Sequence, residues 1–127
     1  MEGPKTRVLL VDDEEELVFT LAERLIMRGM NVDPVTSGDQ ALGLARGCQY
    51  DVAVVDVKMP GMGGLEVLRE LKLLQPSLPV ILLTGHGAVD EEADGRRNGA
   101  YTCLFKPVGI QDLLAAMGRA LGGQDHE

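Results

Sequence analysis

Five short apolar runs divide the chain: Arg7-Val8-Leu9-Leu10-Val11, Asn31-Val32-Asp33-Pro34-Val35, Tyr50 to Val57, Leu78-Pro79-Val80-Ile81-Leu82-Leu83 and Thr102-Cys103-Leu104-Phe105. The first, third and fourth are almost continuously apolar and lie between turn residues. Such runs read as parallel strands covered on both faces. The second alternates only weakly and contains Pro34, which cannot donate to a ladder, so it is expected at an edge. Between the runs the apolar spacing turns helical. Leu17, Val18, Leu21 and Leu25 predict a helix from about Glu15 to Arg28, stopped at Gly29. Ala41, Leu42, Leu44 and Ala45 predict a short one that starts after Thr36-Ser37-Gly38-Asp39 and ends near Gly47. Leu65, Val67, Leu68, Leu71 and Leu74 predict a third, ended by Pro76 and Pro79. Leu113, Leu114, Met117 and Leu121 predict a last helix over 110–121. Strands alternating with helices through short connections imply an α/β fold: a doubly wound, five-stranded parallel sheet with helices on both faces and right-handed crossovers.

One segment breaks the pattern. A fourth helix must cross between Gly87 and Gly99, yet Val89 and Ala93 are its only apolar anchors, and Gly95 costs about 1 kcal/mol against alanine in a helix interior. This helix is expected to be short, loosely docked or partly disordered.

The length of 127 residues suits one domain: an N-terminal extension over 1–6, a core over 7–121 and a frayed tail over 122–127. Aromatics make up only 3% of residues, so the core is aliphatic and offers no platform for stacking bases. The net charge of -8 argues against direct nucleic-acid binding, which rests on Lys and Arg at phosphates. Cys48 and Cys103 have no metal or redox spacing and read as reduced thiols of a cytoplasmic protein. No apolar stretch has the length of a signal peptide core or a membrane span.

The strand ends carry the chemistry. In the expected sheet, Asp12 and Asp13, Asp56, Thr84 and Lys106 fall at the carboxyl ends of four strands, where open α/β sheets bind ligands. Singly, each has a plain structural account: helix caps for Asp12, Asp13 and Thr84, a solvated strand end for Lys106. Capping does not explain why a second strand also ends in aspartate. Phosphoryl transfer to a carboxylate uses the whole set. Three carboxylates in one crevice repel one another unless a cation joins them; Mg²⁺ suits an all-oxygen set, held directly by Asp13 and Asp56 and mainly through water by Asp12, with Mn²⁺ as a substitute. Asp56 is then the nucleophile, Lys106 the counter-charge and Thr84 a hydroxyl donor to the phosphoryl oxygens.

With Val-Asp-Asp-Glu from Val11, Asp56 followed by Met-Pro-Gly-Met-Gly-Gly from Met59, Leu-Thr-Gly-His-Gly from Leu83, Gly-Ala from Gly99 and Phe-Lys-Pro from Phe105, the chain resembles a receiver domain of bacterial two-component response regulators. The likeness covers Arg7 to about Leu121. It implies a flavodoxin-like (βα)5 fold in which Asp56 accepts a phosphoryl group from a phosphohistidine of a sensor histidine kinase or a histidine phosphotransfer protein. It implies further a main-chain Mg²⁺ ligand from Lys58 and a cis peptide bond before Pro107. In the family an aromatic three residues before the lysine turns inward on phosphorylation; that position here is Cys103. The rings of Tyr101 and Phe105 share its strand face without occupying it, so an altered switch that relies more on the fourth helix is expected. Lys58 and His86 match positions that tune phosphoryl lifetime. Lys58 reads either as a solvated loop lysine or as a partner of the phosphoryl group or of Glu14, and His86 as an exposed loop residue lining the site.

Three functions follow from these residues. The first is a phosphorylation-switched signalling module, not a turnover enzyme, with an output domain or downstream partner contacting the fourth helix, fifth strand and last helix. The second is a Mg²⁺-dependent phosphohydrolase, disfavoured because Asp12-Asp13 lacks an Asp-x-Asp spacing and no segment remains for a cap. The third is a vestigial receiver acting as a constitutive interaction domain, against which every site residue is present. Gly-His-Gly and Gly-Ala-Tyr resemble receivers attached to transcriptional regulators.

Overall fold

The computed structural model describes residues 5–85 and 89–122, with Val89 described by its backbone alone. Five strands, β1 (Arg7–Val11), β2 (Asn31–Val35), β3 (Val52–Asp56), β4 (Val80–Thr84) and β5 (Thr102–Phe105), alternate with five helices, α1 (Glu15–Ile26), α2 (Gly38–Ala45), α3 (Gly64–Leu74), α4 (Val89–Arg97) and α5 (Ile110–Gly122). The strands form one parallel sheet in the order β2-β1-β3-β4-β5. β2 is an edge strand, as Pro34 requires. No helix among the described residues is long and apolar enough to cross a membrane.

The strand runs are continuously apolar because successive residues enter opposite layers. Leu9 and Val11, Ala53 and Val55, and Val80 and Leu82 point to a layer closed by Val67, Leu68 and Leu71 of α3 and by Ala41 and Leu42 of α2. Val8 and Leu10, Val52 and Val54, and Ile81 and Leu83 point to the other, closed by Val18, Leu21 and Leu25 of α1 and by Leu113, Ala116 and Met117 of α5. A two-residue period with both faces covered leaves no polar position inside β3 or β4. Gln75 ties the base of the first layer: its Nε2 donates to the carbonyls of Ala45 (2.9 Å) and Cys48 (2.7 Å), while its Oε1 accepts from the Tyr50 N–H (3.1 Å).

α1 ends at Ile26, two residues short of its expected end, and α5 runs one residue further than expected, to Gly122. The rest of the expected tail and residues 1–4 of the expected extension lie outside the described residues. α4 is a continuous helix of nine residues, and its contact with the sheet is made by the residue that propensity marks as a fault. Gly95 is buried, and a Cβ there would lie 2.5 Å from Leu82 Cδ1 and 3.4 Å from Cys103 Sγ. The glycine lets the helix backbone approach a sheet edge that bulkier residues would hold off.

A closer approach fixes α3 to the end of β3. The Gly64 N–H donates to the Val57 carbonyl at 2.8 Å, and a Cβ on Gly64 would overlap the Asp56 carbonyl oxygen and lie 2.6 Å from Val57 Cα. Backbone cannot yield there as a side chain can. Gly64→Ala is therefore expected to destabilise the fold by roughly 1–3 kcal/mol. Gly43→Ala, in the exposed interior of α2 with nothing within 4 Å of its Cβ, is expected to stabilise it by about 0.5–1 kcal/mol. Urea unfolding of both variants checks the contrast, and equal effects would refute it.

Candidate phosphoacceptor site

Strand register brings the predicted residues together. Val11 is abreast of Val55, Asp56 of Leu83, and Thr84 of Phe105, so Asp12 leaves its strand level with Asp56, and Lys106 follows directly beyond the β4–β5 pairing. Backbone bonds carry the order past the strand ends: Asp12 N–H to the Val35 carbonyl (3.2 Å), Val57 N–H to Leu83 (2.9 Å) and Lys106 N–H to Thr84 (2.8 Å). The Lys106–Pro107 peptide bond is cis.

Asp12 is fully buried and Asp56 is 5% exposed. One oxygen each from Asp12, Asp13 and Asp56 lies within 4.8 Å of the others. Lys106 Nζ lies 3.0 Å from Asp12 Oδ2, 3.2 Å from Glu14 Oε1 and 3.3 Å from Asp56 Oδ1. The Asp12 contact is an ion pair without hydrogen-bond alignment, since Oδ2 has no hydrogen-bond partner among the described residues. Thr84 is 1% exposed, and its Oγ1 likewise finds no partner among them. A buried hydroxyl costs free energy unless it is bonded.

The electrostatics follow from burial. Desolvation, followed by repulsion from Asp12, pushes Asp56 from the ordinary 3.8 up to about 6, against the attraction of Lys106. Burial alone would lower the Lys106 pKa; its contact with Asp12, followed by the charges of Asp56 and Asp12 and the bond to Glu14, holds it above its ordinary value. The crevice is thus an acidic pocket with one committed cation. Its three carboxylates form a hard, all-oxygen donor set that fits a divalent cation such as Mg²⁺.

Two pairings emerge only in the structure. Glu14, at the N-cap of α1, makes no side-chain cap bond. Its carboxylate goes to Lys106, and its N–H is taken by Asp12 Oδ1 at 3.0 Å. Lys58 is a largely solvated loop lysine, 77% exposed, whose ion-pair partner among the described residues is Glu91 of α4 rather than Glu14, with Nζ 4.0 Å from Oε2. Neither pairing has a sequence signal, because the partners lie 92 positions apart in one case and on unrelated elements in the other. Cys103 is buried under α4, with Sγ 4.0 Å from the Glu92 carbonyl, while Tyr101 and Phe105 on the same strand face are 41% and 40% exposed. Burial, and after it the Glu92 charge, raise the thiol pKa. His86 lies outside the described residues.

Residues 8–118 match the response regulator receiver domain. The chain belongs to that family. This receiver is 40% identical to the transcriptional regulatory protein TctD of Salmonella typhimurium over 124 residues, covering 95% of the receiver and 55% of TctD. It is 38% identical to the transcriptional regulatory protein TcrA of Mycobacterium tuberculosis over 115 residues, covering 91% of the receiver and 45% of TcrA. The receiver thus spans about half the length of these regulators. Among solved structures, a receiver domain protein from Clostridium thermocellum superposes with a TM-score of 0.88 at 34% identity, covering 94% of this receiver and 97% of that chain. A CheY-like receiver from Methanospirillum hungatei gives 0.91 at 26%, covering 96% and 98%. Receivers of two-component regulators are phosphoacceptor switch domains.

The raised Asp56 pKa makes stability depend on pH. Because the folded state holds this proton more tightly than the unfolded chain, ionised Asp56 opposes folding. The opposition is full above about pH 6, shrinks as the pH falls and vanishes below the ordinary 3.8. In metal-free buffer, Asp56→Asn is expected to be more stable than the parent by about 2 kcal/mol at pH 7.5 and equal to it near pH 3.5. Urea midpoints at the two values measure this; a difference that does not change with pH would exclude Asp56 as its source.

Proposed function

We propose that this receiver takes a phosphoryl group from a phosphohistidine of a sensor histidine kinase or a histidine phosphotransfer protein onto Asp56. The observation that supports this most directly is the placement of the nearly buried Asp56 carboxylate 3.3 Å from Lys106 Nζ, with Thr84 at the end of the adjacent strand carrying a buried hydroxyl that has no hydrogen-bond partner among the described residues.

At neutral pH Asp56 is mostly ionised and serves as nucleophile. One of its oxygens forms a bond to phosphorus as the phosphorus–nitrogen bond of the phosphohistidine breaks, and the departing imidazole nitrogen takes a proton from solvent or its own protein. Lys106 balances the charge on the equatorial phosphoryl oxygens, and Thr84 gives them its unused O–H. Asp12, Asp13, Asp56 and the Lys58 main-chain carbonyl would hold a Mg²⁺ ion, which when bound neutralises carboxylate and phosphoryl charge; Mn²⁺ suits the same oxygens. Attack of water on phosphorus, with the Asp56 oxygen leaving as carboxylate and inorganic phosphate released, resets the switch, so the domain assists its own phosphorylation and dephosphorylation without turning over an external substrate.

The output is a change of protein contacts through α4, β5 and α5, to a linked output domain or a separate protein. The relatives' regulatory names and greater length support the first. The net charge of -8 makes the receiver itself a poor partner for nucleic acid, and a cytoplasmic location suits both partners.

With Mg²⁺ and acetyl phosphate, the parent is expected to gain one phosphoryl mass on Asp56 and Asp56→Asn none. Thr84→Ala is expected to slow the gain about 10²-fold, the scale of losing one preorganised donor. Intact-mass time courses read all three. No adduct on the parent would favour the vestigial, constitutive domain, and repeated turnover of a phosphate ester would favour the phosphohydrolase.

A further inference from the structure

We propose that Lys58 and Glu91 form a relay that couples charge at Asp56 to the first turn of α4; the inference rests on reading Asp56 as the phosphoacceptor. Glu91 is the unusual acid of that helix. Glu92 is bonded to Arg96 at 3.2 Å and Asp94 to Arg97, both within α4. Glu91 instead reaches off the helix to Lys58, on the loop after β3 and two residues beyond Asp56, with 4.0 Å between Oε2 and Nζ. Its other oxygen, Oε1, is buried and has no hydrogen-bond partner among the described residues. A carboxylate oxygen removed from water without a donor is costly, and at 4.0 Å the ion pair offsets that cost without the directionality of a hydrogen bond. Glu91 is therefore held in place by a weakly committed cation.

Lys58 is free to leave. Its side chain is 77% exposed, and a lysine ammonium is a point charge on a flexible four-carbon stem. Lys106 is already shared among three carboxylates. A phosphoryl group on Asp56 adds about 1.5 to 2 negative charges, more than the shared Lys106 offsets, and Lys58, two residues beyond Asp56, supplies a second cation. Two anions then compete for one ammonium. When the phosphoryl group takes it, Glu91 keeps its buried oxygen and loses its counter-charge, so the first turn of α4 is released toward solvent. By the reciprocity of linked equilibria, Glu91 weakens the hold of the site on the phosphoryl group by the same factor.

The probe is beryllofluoride in Mg²⁺ buffer, a phosphoryl mimic, titrated into the whole chain and followed by fluorine NMR. Glu91→Gln, which keeps the side-chain shape and removes the charge, is expected to bind it about two- to fivefold more tightly than the parent, the scale of one solvent-facing ion pair. Glu91→Ser, which also removes the orphaned oxygen, is expected to shift the same way, and Glu92→Gln to leave binding unchanged. The gain should shrink in 1 M salt, because exposed pairs are screened. Equal or weaker binding by both Glu91 variants would overturn the relay alone. No binding by the parent would overturn the reading of Asp56, and the relay with it.

Discussion

A single ammonium group, that of Lys106, holds together a crevice that would otherwise drive itself apart. Asp12 and Asp56 are removed from water and stand close enough that each raises the cost of the other's charge; without a cation between them the arrangement would be relieved by protonation or by moving strand ends. Lys106 lies within 3.3 Å of both and is placed there by backbone, through the pairing of its N–H with the Thr84 carbonyl. The sheet thus does electrostatic work. Its register sets the separation of the charges, and its two covered faces keep the strands from sliding to relax them.

This dependence gives the site its directionality. Buried like charges with one shared cation form an incompletely neutralised set, and the remaining demand for positive charge is compatible with a divalent cation. The same desolvation that lifts Asp56 to about 6 leaves it ionised at neutral pH while keeping it a stronger base than an exposed aspartate, which is the condition a carboxylate nucleophile needs. Thr84 completes the arrangement from the opposite sense of charge. Among the described residues its hydroxyl has no acceptor, whereas Asp12 Oδ2 has no hydrogen-bond donor.

The sheet, its edge strand β2 and the convergence of Asp12, Asp13, Asp56, Thr84 and Lys106 were legible in the sequence because strand ends follow from apolar runs, and parallel strands must present their carboxyl ends together. What was not legible shares one physical cause: it depends on which surfaces meet. Gly95 reads as a helix fault until Leu82 and Cys103 are seen beneath it. Glu14 reads as a cap until Lys106 is seen beside it, and Glu91 as one more acid in a polar helix until its oxygen is seen to be buried. Propensity describes a residue against solvent, and these three are defined by a neighbour.

The small residues at the α4 contact bear on how a signal leaves the crevice. An aromatic side chain at the position of Cys103 would fill the space under α4 and carry information by changing rotamer. A thiol beneath a glycine has little volume to rearrange, and its closest polar neighbour is the helix backbone at Glu92. The rings that remain, Tyr101 and Phe105, already lie at the surface on either side. Under the relay proposed above, displacement of the helix itself is the larger mechanical option, since α4 meets the sheet around Gly95 and Cys103 and reaches the β3–α3 loop through one long ion pair. A helix with a weak apolar stripe changes position at lower cost than one seated by a strong stripe, so the weak amphipathicity of α4 is consistent with the proposed relay.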